Sequence, residues 1–162
     1  MKTSLKLAAC AALALAAVPS LAASDPAATI AARQDGMKQI GGAQRAIGGE
    51  LRKDAPDLAV VKANAEKLQT LAGQIPGWFP TGTGAEAGVK TAAKAEIWSD
   101  STTFAADAAA LETQAGRLAQ AAAGIDVAAV KAQAGPLGGA CKACHDGFRA
   151  PPPTAAPPPP AG

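Results

Sequence analysis

The chain has 162 residues, 49% of them apolar, with 15 Lys and Arg against 13 Asp and Glu. A balance this close to neutral excludes the strongly basic surface that nucleic acid binding demands, and the length suits one domain with one sizeable core. With much alanine, no Tyr, two Trp and three Phe, the composition is poor material for strands and good material for helices, so an all-α fold is expected.

The first stretch reads as a leader. Lys2 and Lys6 precede an apolar run from Leu7 to Val18, and Ser20-Leu21-Ala22 offers the small residues that a signal peptidase reads. Residues 1–22 are therefore expected to be removed on export to the periplasm. The run is shorter than the roughly twenty apolar residues that span a bilayer, so no membrane span is expected. Without Lys2 and Lys6, thirteen basic residues face thirteen acidic ones.

Four helical patterns follow within residues 23–150. In the first, Ile30, Met37, Ile40, Gln44, Ile47 and Leu51 recur at three-and-four spacing, with Arg33 on the same stripe and Ser24 or Asp25 ahead of Pro26 as the entry signal. Gly41-Gly42 and Gly48-Gly49 weaken that helix by up to about 1 kcal/mol each, which close approach of a neighbouring helix or a cofactor would explain. Asp54-Ala55-Pro56-Asp57 ends it and starts a second helix, whose buried stripe is Val61, Ala65, Leu68, Ala72 and Ile75. From 76 to 96 the periodicity fails, and Pro76, Gly77, Pro80, Gly82, Gly84 and Gly88 mark a long connection. Trp78, Phe79 and Trp98 flank it, as apolar lids over a pocket or as plain core aromatics. Residues 99–101 supply caps for a third helix carrying Phe104, Ala108, Leu111, Ala115, Leu118 and Ala122, ended by Gly124. Asp126 caps the fourth, whose stripe runs Val127, Val130, Ala134, Leu137, Cys141, Cys144 and Phe148. Pro136 inside this pattern is expected to kink or split the helix. After Arg149 the chain turns Pro-rich, and residues 151–162 are expected to form a disordered tail.

Cys141-Lys142-Ala143-Cys144-His145 carries the chemistry. A Cys-x-x-Cys-His run is a c-type haem attachment site: the two thiols add across the haem vinyl groups, and the imidazole takes one axial position on the iron. On a helix, positions three and four apart share a face, so both sulfurs and the ring address one porphyrin edge. A redox dithiol would normally open a helix beside a strand, and no strand pattern precedes this one. A zinc site needs four ligands, and without the leader only these two cysteines and this one histidine remain. Haem c, one per chain, is therefore the expected cofactor. Met37 is then the only methionine, so a sixth protein ligand is Met37, a lysine, or nothing.

An all-helical exported domain with this motif on its last helix resembles the class II c-type cytochromes, the cytochrome c-prime family. Arg33-Gln34-Asp35-Gly36-Met37-Lys38, Glu96-Ile97-Trp98-Ser99-Asp100 and the run 141–149 carry the likeness. It implies an up-and-down four-helix bundle with the haem between the first and last helices. Arg33 and Gln34 match positions that meet haem propionates, and Arg149 matches a basic residue beside the axial histidine. The position of Met37 holds the axial methionine of low-spin members, yet some high-spin members keep methionine there without an iron bond.

Two functions compete. One is a periplasmic electron carrier serving redox partner proteins; the other is a five-coordinate haem protein that takes up nitric oxide or carbon monoxide. No enzymatic activity is expected, since peroxidase chemistry wants a distal acid–base group and the chain has no second histidine. No nucleic acid partner is expected, and monomer and homodimer both remain open. The sequence favours ligation by Met37, and with it the carrier, because Asp35, Gly36 and Lys38 place nothing bulky beside Met37 to hold it away.

Overall fold

The computed structural model describes residues 25–124 and 126–151. The leader 1–22 and the tail beyond Pro151 lie outside the described residues. Four long helices make a bundle: α1 (Pro26–Leu51), α2 (Leu58–Gln74), α4 (Ser101–Ala123) and α5 (Val127–Phe148), with a single-turn α3 (Glu96–Ser99) between the pairs. Each long helix opens on an aspartate whose carboxylate accepts first-turn N–H groups. Asp25 takes the N–H of Ala27, Asp57 those of Ala59 and Val60, Asp100 that of Thr103, and Asp126 those of Ala128 and Ala129. Such caps satisfy donors that have no intrahelical acceptor.

The buried faces follow the three-and-four pattern. Ile40, Ala43 and Ile47 of α1 share one core cluster with Val61, Ala65, Leu68 and Ala72 of α2; Phe104, Leu111, Ala115 and Leu118 of α4 and Val130, Leu137 and Phe148 of α5 complete it, and Ile30 is buried outside it. Alanines on α2 and α4 allow those two helices to pack as the most intimate pair. Packing runs from α1 to α2, α2 to α4 and α4 to α5, while α1 and α5 barely touch. The ring of helices is thus nearly open along one seam.

Two sequence expectations change here. Of the two outcomes expected at Pro136, a kink or a split, the split does not occur, since α5 runs unbroken from Val127 to Phe148. Pro136 is exposed, so the carbonyl left without its helical donor is on a face that water reaches, and the packed Leu137 beside it holds the turn in register. The glycine pairs of α1 are not sites of helix–helix approach either. A Cβ at Gly49 would meet nothing, those at Gly41 and Gly42 would meet only the Arg45 side chain of the same helix, and that at Gly48 only the side chain of Arg52 at its C-terminal cap. The α1 glycine that packing demands is Gly36, where a Cβ would stand 2.5 Å from the Trp78 ring.

The connection 76–95 is ordered by short turns and side-chain bonds. A 3-10 turn, Ile75–Trp78, brings Trp78 onto Gly36, and a second covers Ala85–Ala87. The indole N–H of Trp98 donates to the carbonyl of Phe79 at 3.0 Å. Phe79 stands edge-on to Trp98 and Phe104, and Phe104 edge-on to Phe148, the offset geometry that aromatic quadrupoles favour. One aromatic chain thereby joins the connection to α4 and to the end of α5.

Candidate haem pocket

The open seam between α1 and α5 holds a cavity of ≈ 510 Å³, within the usual range for cofactor sites. Gln34, Met37, Lys38, Ile40, Gly41, Gln44 and Arg45 line its α1 side, and Cys141, His145 and Arg149 line its α5 side. A second, smaller cavity of ≈ 80 Å³ adjoins Cys144 and His145, and Met37, Phe79, Ala93, Ile97 and Phe104 close it. Met37 and His145 border both spaces.

The helix puts the attachment residues where the motif requires. Cys141 and Cys144 are half-buried free thiols, and Lys142 and Asp146 pair on the outer face of the same turns. Burial pushes the Cys141 thiol up, and burial, Asp107 and Cys141 together push Cys144 up to about 11. Both are therefore protonated near neutrality, unlike the low-pKa thiolates of redox dithiols. Burial first, and Arg149 second, lower the His145 pKa against the opposing pull of Asp146. A neutral imidazole results, which is the form that ligates iron.

The lining fits a covalent haem. Cys141 and His145 stand on one wall of the large cavity and Cys144 on the adjoining small one, the facing wall carries Met37, Ile40 and Gly41, and Lys38, Arg45 and Arg149 bring positive charge suited to two propionates. The glycine at 41 keeps that wall low, since a Cβ there would lie 3.3 Å from the guanidinium of Arg45.

The two predicted propionate contacts separate. Gln34 is exposed on the rim of the large cavity, and its amide donates to the carbonyl of Lys90 at 2.9 Å. Arg33 is only 3% exposed and lies outside the lining of both cavities. Its Nη1 donates to Thr83 Oγ1 at 2.9 Å, and its Nη2 donates to the Thr83 carbonyl at 2.7 Å and to Thr91 Oγ1 at 2.8 Å. The guanidinium also stands 4.7 Å from the centre of the Phe79 ring. Arginine has five N–H donors, so only those not committed to the connection remain for a propionate.

Of the three flanking aromatics, Phe79 borders the small cavity, whereas Trp78 and Trp98 line neither space. Lys38 and Arg45 were not singled out by sequence, although both fall on the same face as Gln34 and Gly41 at three-and-four spacing. Thr83 and Thr91 carried no sequence signal.

A four-helix bundle whose last helix presents Cys-x-x-Cys-His to a cofactor-sized seam defines a bundle-type c-type cytochrome. The family model for Cytochrome C′ matches residues 28–149, and the chain belongs to that family, whose cofactor is covalently attached haem c. Cytochrome c′ of Rhodospirillum rubrum is 38% identical over 153 residues, covering 93% of this chain and 99% of that one. Among solved structures, a cytochrome c′ with ligand-controlled dimer dissociation is 29% identical at a TM-score of 0.73, covering 80% of this chain and 100% of that one. The nitric oxide complex of a mutant cytochrome c prime from Alcaligenes xylosoxidans is 30% identical at a TM-score of 0.71, covering 80% and 98%.

Proposed function

We propose that this protein takes up a diatomic gas, nitric oxide or carbon monoxide, at a haem attached through Cys141 and Cys144. When bound, the haem would supply an iron that both a protein side chain and a small gas can ligate. His145, exposed overall but with its pKa lowered by partial burial and by Arg149, would ligate that iron. Lys38, Arg45 and Arg149 would hold the propionates, with Gln34 on the rim.

The observation that carries this reading is the setting of Met37. Its side chain is half-buried and packs on the hydrophobic core, and Phe79, Ile97 and Phe104 share the small cavity with it. Those neighbours come from three distant parts of the chain, so its surroundings in sequence could not reveal them. Packing of this kind favours a Met37 that lines an apolar wall over one that reaches out to the iron. The nitric oxide complex of the Alcaligenes protein supports the same choice. Electron transfer by a Met37-ligated iron is the second reading, and it rests on the Met37 thioether bordering the same cavity as His145.

Export of the mature chain to the periplasm, removal of residues 1–22 and a binding role without catalysis complete the proposal. No helix among the described residues is long and apolar enough to cross a membrane. Dimerisation is a further expectation, supported by the dimeric relative.

The test is titration of the reduced holo-protein with each gas. One equivalent of carbon monoxide and one of nitric oxide are expected to bind, each shifting the Soret band. A spectrum unmoved by both gases would return the assignment to electron transfer.

A further inference from the structure

Residues 83–94 touch both walls of the haem seam. On the α1 side, Arg33 donates to Thr83 and Thr91, and Gln34 donates to the Lys90 carbonyl. On the α5 side, Ala93 and Arg149 form an antiparallel bridge. The Ala150 N–H donates to Ala92 at 2.8 Å, the Lys94 N–H to Phe148 at 3.0 Å, and Lys94 Nζ to the Gly147 carbonyl at 2.6 Å. Those acceptors and donors lie two to five residues past His145. The same run lines the small cavity with Ala92 and Ala93, as Met37 does from α1.

Because α1 and α5 barely touch directly, this run is the polypeptide that ties one wall to the other beside the axial histidine. Arg33 is built for that task rather than for solvent. It enters no ion pair among those of the described residues, burial lowers its pKa, and only the more distant Glu86 opposes that effect. Desolvating a guanidinium is expensive unless its donors are satisfied. Thr83 is itself 3% exposed, and its hydroxyl donates to the Pro80 carbonyl at 2.7 Å, which turns its lone pairs toward Arg33.

We propose that residues 83–94 form a strap that sets the separation of the two pocket walls, with Arg33 as the positioning residue that fastens it, so that the strap governs ligand entry beside Met37. The proposal rests on the gas-binding reading for one of its readouts. If Arg33 served only the haem, removing its partners on the strap would change nothing, and this separates the two roles.

The experiment compares holo-protein of the wild type, Thr83→Val/Thr91→Val and Thr83→Ser/Thr91→Ser. Loss of hydrogen bonds to a charged group raises local opening on the order of tenfold or more. Tryptic cleavage after the exposed Lys90 and the rate of carbon monoxide association are therefore both expected to rise by about that factor in the valine pair. The serine pair, which keeps both hydroxyls, is expected to return both to wild-type values. Wild-type association in the valine pair overturns the proposal whether or not cleavage rises, and so does a serine pair that behaves like the valine pair. If the wild type takes up no carbon monoxide, the gas-binding reading fails by itself, and the ferric Soret band decides: a shift in the valine pair alone supports the strap, and identical bands overturn it. Should the valine pair not fold, Thr91→Val alone, at a half-buried position, is read on the same scales.

Discussion

Serine at both Cys141 and Cys144 is expected to leave a protein with no covalently bound haem. The thioethers are the only covalent link the motif offers, and the hydroxyl of serine does not add across a vinyl group under the conditions that mature cytochromes. The check is intact mass under denaturing conditions, after expression in a host able to mature c-type cytochromes. Wild type should carry one haem mass and the double variant none, while either single variant can still form one thioether. Retention of a haem mass by the double variant would contradict the assignment of these residues. The same variant should be less stable, since the ≈ 510 Å³ seam between α1 and α5 would then lack the apolar contacts that fill it.

Phe104→Ala is expected to lower the stability of the holo-protein by about 3–5 kcal/mol, the usual range for deleting a buried phenylalanine. Phe104 is 6% exposed and stands at the junction of three elements. Its ring is 5.0 Å from that of Phe79 and 5.2 Å from that of Phe148, both edge-on. One substitution therefore removes two aromatic contacts as well as buried area. A loss of that size is a large fraction of the roughly 5–15 kcal/mol that holds an ordinary domain together. The measurement is denaturant unfolding with m held in common, and a loss below about 1 kcal/mol would show that the aromatic chain is not a structural centre.

The helices and the attachment motif were legible in the sequence because their signals are local. Ser24 or Asp25, Asp57, residues 99–101 and Asp126 mark four starts, which the structure narrows to the aspartates, the apolar spacing marks four faces, and Cys141, Cys144 and His145 fall on one helix face by arithmetic alone. Pro136 does not interrupt α5 because a missing backbone donor breaks a helix only where packing does not hold the turn, and Leu137 is fully buried. The connection 76–95 was legible only as a break in periodicity. Its order comes from bonds such as Arg33 to Thr83 and Lys94 to Gly147, which join residues some fifty positions apart and leave no trace in local spacing. Met37 was judged by Asp35, Gly36 and Lys38, whereas its packing partners arrive from α3, α4 and the connection. That is why the sequence favoured ligation, whereas the proposed function sets Met37 in an apolar wall.

Spin state tests the central claim most directly, through the ferric absorption spectrum of the wild type beside Met37→Ala. An iron held by His145 alone, behind an uncoordinated Met37, gives a high-spin spectrum that the substitution leaves unchanged. A low-spin wild-type spectrum with a sulfur-to-iron charge-transfer band, lost in Met37→Ala, would contradict it.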